Sequence, residues 1–180
     1  MRILAISGSL RAGSLNTQLL RLAAEELPVG VELEQFDALA EIPPYDQEVE
    51  GFVPESVARL RDAVIVSDAV LFASPEYNGS IPGQLKNALD WVSRQAVGAP
   101  FRGKPVAVMG ASPGQFGGIW AQGELRKVLG IMGARVVSTE LAVGKAHERL
   151  GGDIDAELRD AVATLVDELV GEAAALEVAA

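Results

Sequence analysis

Three short apolar runs, Ile3-Leu4-Ala5-Ile6, Ala69-Val70-Leu71-Phe72-Ala73 and Val106-Ala107-Val108-Met109, carry no polar residue at alternate positions. A strand with one face in water would alternate; these do not, so each must be covered on both faces. The segments around them space their apolar residues differently: Leu15, Leu19, Leu20, Leu22, Ala23 and Leu27; Val57, Leu60, Val64 and Ile65; Leu85, Ala88, Leu89 and Val92. That is the spacing of a helix with one buried face. Strands buried on both faces and alternating with helices form a parallel sheet between two helical layers.

In chain order the expected strands are 2–7, 31–36 (which alternates and reads as an edge), 68–74, 104–110 and 135–143. The expected helices are 15–27 with Ser14 as N-cap, 55–67, 82–95, 119–132 and 154–175, and the tail 173–180 is expected to fray. Five strands in this alternation suit the flavodoxin-like order 2-1-3-4-5, a three-layer α/β sandwich in a single domain over 1–180. Its ligand crevice lies at the carboxyl ends of the first and third strands. The connection 37–54 is long for a structureless segment and is expected to be functional or mobile.

Composition removes several chemistries. The chain has 180 residues, no cysteine, one histidine and a net charge of −10, with no block of Lys or Arg. Nucleic acid and anionic membrane surfaces both demand clustered positive charge, so neither is an expected partner. Thiolate nucleophiles and thiolate metal sites are excluded, and the lone His147 cannot build a multi-histidine metal site. No apolar run approaches a membrane span. Met1-Arg2 leads straight into an apolar run without signal-peptide architecture, so the expected placement is the cytoplasm.

The loops after the first and third strands carry the candidate site. Ser7 to Asn16 offers three hydroxyls (Ser7, Ser9, Ser14), the cation Arg11 and a helix start. Free amides and the dipole at a helix start suit a phosphate. The same residues would also make an ordinary solvated turn with a serine cap. This loop lacks the G-x-G-x-x-G fingerprint. Gly98 to Lys104 approaches a triphosphate loop, but Pro105 replaces the required hydroxyl and a strand follows it. Pro75-Glu76-Tyr77-Asn78-Gly79-Ser80 combines a stiff start, a flat side chain and Asn-Gly turn chemistry, with Ser80 as an expected cap for the next helix. It can aim backbone amides at a planar heterocycle; the alternative is a plain strand–helix connection. Ala111 to Gly118 forms a third wall. Glu76 is the one carboxylate inside these loops, so no acid–base pair is expected.

Gly8-Ser9-Leu10-Arg11-Ala12-Gly13-Ser14-Leu15-Asn16 and the stretch from Pro75 through Gln84-Leu85-Lys86-Asn87-Ala88-Leu89-Asp90-Trp91 together resemble the NADPH-dependent FMN reductase family. The resemblance runs from Arg2 to about Val143. It implies bound FMN, NADPH or NADH as co-substrate, and a small-molecule electron acceptor such as a quinone, a flavin, an azo dye or chromate. Carried over by position, it implies that Ser9, Arg11, Ser14 and Asn16 surround the phosphate, with Leu10, Ala12, Gly13 and Leu15 also among the cofactor-binding residues. Pro75, Glu76, Tyr77 and Asn78 would border the isoalloxazine and ribityl chain, and Ser112 would touch the flavin. It implies a homodimer or homotetramer with contacts near the third and fourth helices. Gly79 and Trp120 depart from the family pattern. No side chain is expected as a general acid or base; the reaction is hydride transfer at the flavin N5. Two rival readings share the fold: a flavodoxin-type electron carrier and a non-catalytic nucleotide-binding domain.

Overall fold

Side chains alternate across the buried strands, and that alternation splits the interior into two cores. The computed structural model describes residues 1–94 and 98–179. Its strands are β1 (Arg2–Ser7), β2 (Glu32–Gln35), β3 (Ala69–Ala73), β4 (Pro105–Ala111), β5 (Arg135–Val136) and β6 (Leu141–Val143). Its helices are α1 (Leu15–Glu25), α2 (Glu55–Val66), α3 (Gly83–Val92), α4 (Ile119–Ile131), α5 (Ala146–Arg149) and α6 (Ala156–Ala179). All strand pairings are parallel. The order β2-β1-β3-β4-β5 is the expected flavodoxin-like one. The register runs from Ile3 opposite Ala69 to Ser7 opposite Ala73, so β1 and β3 end level and their loops leave side by side.

On one face Ile3, Ala5, Leu71, Ala73, Ala107 and Met109 pack with Leu19 and Leu22 of α1 and with Leu158, Val162, Leu165 and Leu169 of α6. On the other, Leu4, Ile6, Val70, Phe72, Val106 and Val108 meet α2, α3 and α4 through Leu60, Leu85, Leu89, Leu125 and Leu129. Burial of each large apolar side chain contributes about 2 kcal/mol. Among the described residues no helix is long and apolar enough to cross a membrane.

Several expectations are corrected. The last strand, expected at 135–143, is broken into β5 and β6, which pair with the start and end of β4. Between them the Glu168 carboxylate accepts bonds from Ser138 N, Ser138 Oγ and Thr139 N at 2.7–2.9 Å and draws the backbone out of the ladder. Helix α6 extends to Ala179, with Ala173 buried in the core and Ala174, Ala175 and Val178 exposed beyond it. Ser80 does not cap the next helix; Pro82 stands at that position without a side-chain bond, and Ser80 closes a turn described below. The expected helical stretch up to Gln95 ends at Val92, and Gln95 lies outside the described residues.

The last correction concerns 37–54. It contains two short 3-10 turns, and its first half is fastened to α3. Gln84 Nε2 donates to Leu39 O and Ile42 O at 2.7 and 2.8 Å. Asn87 accepts from Tyr45 N at 2.7 Å and donates to Pro43 O at 2.8 Å, and Trp91 Nε1 donates to Pro43 O at 2.9 Å. Polar side chains from one helix therefore satisfy the backbone groups that the connection leaves unpaired.

Candidate functional site

The three nominated loops meet in one cleft at the carboxyl end of the sheet. Ser9, Arg11, Ser14, Leu15 and Asn16 line it from the first loop, Pro75, Glu76 and Tyr77 from the second, and Ala111, Ser112 and Pro113 from the third. Its enclosed volume is about 90 Å³. Pockets that swallow a drug-sized ligand run to roughly 300 Å³ or more. This cleft can enclose a small anionic group, and any flat ring attached to it has to lie on the open rim.

The first loop is built for an anion. Ser14 caps α1: its Oγ accepts from Asn16 N and Thr17 N at 3.2 and 3.3 Å, which leaves its own hydrogen to donate. Among the described residues the amides of Leu10, Ala12, Gly13 and Leu15 meet no acceptor in the chain. Arg11 is exposed and forms no ion pair there. Donors, a cation and a helix start thus converge without an internal partner.

The second loop is a two-residue hairpin. Tyr77 N donates to Ser80 O at 3.0 Å and Ser80 N to Tyr77 O at 3.1 Å. Asn78 and Gly79 both have positive φ, 54° and 72°. That is a type I′ turn, the shape Asn-Gly favours. Gly79 is therefore required by backbone conformation, and the space where a Cβ would stand is open as well. Tyr77 is half exposed, and the amides of Glu76, Asn78 and Gly79 have no acceptor among the described residues.

Two of the nominated side chains have structural partners. Asn16 is 2% exposed, and it makes a paired bond with the end of β4, donating to Ala111 O at 3.0 Å and accepting from Ala111 N at 2.9 Å. It ties the first loop to the third, and both of its amide atoms are engaged. Glu76 Oε2 accepts from Trp120 N and Ala121 N at 3.0 and 3.1 Å, capping α4 from a distant loop. Leu10 and Ala12 line a neighbouring groove with Gln35, Phe36 and Asp37. Gly13 and Asn78 are exposed beside the cleft. Ala111 and Pro113 line the cleft without having been singled out; their place at the end of a buried strand was the available signal. His147 sits on α5, more than half exposed; that helix starts against the third loop, with Lys145 N donating to Gly114 O at 2.8 Å and Ala146 N to Ser112 O at 3.0 Å. No cluster of metal-ligating side chains occurs among the described residues.

Residues 1–148 match the family described as NADPH-dependent FMN reductase. The chain belongs to that family. It is therefore an oxidoreductase that uses NAD(P)H and FMN. An NAD(P)H-dependent FMN reductase of Pseudomonas aeruginosa is 47% identical over 131 residues, 72% of this chain and 69% of the relative. A quinone reductase of Escherichia coli K12 is 34% identical over 171 residues, 93% of this chain and 86% of the relative. Among solved structures, the NAD(P)H:(acceptor) oxidoreductase FerB of Paracoccus denitrificans superimposes with a TM-score of 0.84 at 33% identity, covering 95% of this chain and 98% of that one. The donor set described above fits the cofactor of this reductase family: hydroxyls, unpartnered amides and one cation for a phosphate, and a half-exposed Tyr with further free amides for a ring.

Proposed function

We propose that this reductase passes two electrons from NAD(P)H to a quinone-class acceptor, with free flavin, azo dyes and metal oxyanions such as chromate as further acceptors. When bound, FMN supplies the hydride-carrying chemistry. Ser9, Ser14, Arg11 and the amides of Leu10, Ala12, Gly13 and Leu15 would hold its phosphate. Pro75, Glu76, Tyr77 and Asn78 would border the ring, with Ser112 on the third side. The amides of Glu76, Asn78 and Gly79 are preorganised dipoles suited to stabilising added negative charge. The protein's residues bind, orient and polarise; none is placed as an acid–base pair, and protons come from water. We place the reaction in the cytoplasm, where NAD(P)H is supplied.

The observation that carries this reading is a single open cleft whose donors lack internal partners, at the switch point between β1 and β3. One open face serving two flat substrates in turn implies ping-pong kinetics. The test is a visible spectrum after loading with FMN and removing the excess, followed by anaerobic NADPH or NADH and then a quinone. Retained flavin that bleaches and is reoxidised by the quinone, with parallel double-reciprocal lines, supports the reading. Retained flavin that neither nucleotide bleaches supports an electron carrier instead.

A further inference from the structure

Helix α4 begins in an unusual way. Gly118 stands at its N-cap in the left-handed region, φ 80°, and supplies no side chain to the free amides of the first turn. Gly117 has φ 61°, and a Cβ there would come within 2.4 Å of the Ala142 backbone, so neither position tolerates a Ser, Thr or Asp cap. The missing acceptor comes from the loop after β3: Glu76 Oε2 takes both Trp120 N and Ala121 N. The carboxylate charge lies at the positive end of the helix dipole, which strengthens both bonds. The first turn is also pressed on the same loop, since a Cβ on Gly118 would lie 3.6 Å from Ser74 O and 3.7 Å from Glu76 Cβ.

That turn carries an exposed aromatic pair. Phe116 and Trp120 are 61% and 53% exposed, with ring centroids 4.9 Å apart at 59°. Ile119 N donates to Phe116 O at 3.1 Å, so the two rings belong to one hydrogen-bonded turn. Ile119 and, next to Glu76 in the second loop, Tyr77 are also exposed large apolar residues. Because Trp120 N bonds Glu76, a residue that lines the cleft, this patch adjoins it, and an exposed apolar patch beside a cleft marks a binding surface.

We propose that Glu76 is a positioning residue: its carboxylate holds the first turn of α4 and so sets the Phe116–Trp120 pair as an aromatic rim on which a planar electron acceptor packs. This rests on the reductase reading for the identity of the acceptor. The capping of Trp120 by Glu76 stands apart from it and is tested first on the apoprotein.

The chain has two tryptophans, and Trp91 is 1% exposed, so collisional quenching by acrylamide reports Trp120. Glu76→Ala is expected to increase quenching of the apoprotein and to shift its emission, and Glu76→Gln, which keeps a neutral acceptor, to lie between. With FMN loaded, Glu76→Ala, on the scale of losing one helix cap, and Trp120→Ala, on the scale of losing one aromatic contact, are each expected to raise the quinone KM about fivefold. The double variant is expected to be no worse than the worse single one, because Glu76 acts through Trp120. Strictly additive effects overturn the proposal, as does quenching that Glu76→Ala leaves unaltered. Trp120→Ala that changes the oligomeric state while the quinone KM stays put also overturns it and assigns the rim to a second copy of the chain. Failure of the parent protein to retain FMN would remove the reductase reading while leaving the apoprotein result intact.

Discussion

The loop after β1 and the connection from 37 to 54 differ in where their backbone polar groups go. In the long connection, Leu39 O, Ile42 O, Pro43 O and Tyr45 N each meet a side chain of α3. In the short loop, the amides of Leu10, Ala12, Gly13 and Leu15 meet nothing in the chain. The first pattern is architecture, in which the backbone is satisfied from within and the segment is held. The second leaves donors open to whatever lies outside the chain. Residue type alone does not separate the two. Asn16 and Asn87 are both asparagines in motif stretches, and both turn out to be fasteners, Asn16 inside the ligand loop itself.

The sharpest attempt to break this comparison is Asn16→Ala. It leaves the buried amide and carbonyl of Ala111 without partners, and stability is expected to fall by about 3 kcal/mol, read from the urea midpoint. An unmoved midpoint with weakened FMN binding would return Asn16 to the ligand. Arg11→Ala probes the open loop directly. Losing one charge-assisted bond weakens FMN about tenfold or more, while the urea midpoint stays where it was. Asn87→Ala is the matching cut in the held segment. We expect about 1–2 kcal/mol of destabilisation and faster hydrogen exchange at the Tyr45 amide, with the FMN Kd unmoved.

The smallest effect concerns the break between β5 and β6. The Thr139 side chain, with Ser138 and the amides of both residues, holds the Glu168 carboxyl down from 4.5 to about 2, against partial desolvation. A carboxyl lowered in the folded state stabilises the fold fully above its unfolded value near 4.5 and loses that contribution as pH falls toward 2. After solvent screening this amounts to about 1 kcal/mol. Glu168→Gln is therefore expected to cost that much near pH 6, with the gap from the parent closing by pH 2.5. A gap that is constant with pH would show that the charge is not what holds the loop.

The sheet and its order were legible because a strand covered on both faces cannot hide its apolar run, as 69–73 shows. The cleft was legible at loop level for a related reason: in a parallel sheet with this order, adjacent strands that end level must deliver their loops together. What the sequence left open is visible at Glu76 and Ser80. Both sit in the nominated ring loop; the Glu76 side chain bonds residues 44 and 45 positions away, and Ser80 closes a turn with Tyr77 through its backbone instead of capping a helix. The break at 137–140 was illegible likewise, because Glu168 lies about 30 positions on, in another helix.

Local pattern by itself determined most of the elements, the Ser14 cap and the Asn-Gly turn, since each follows from contacts within a few residues; the parallel sheet followed from the alternation of those elements. The tertiary structure alone decided which polar side chains serve the backbone and which donors stay open. Hydrogen-bond partners are chosen by proximity in space, and a polar residue facing a ligand looks the same in sequence as one facing a distant strand.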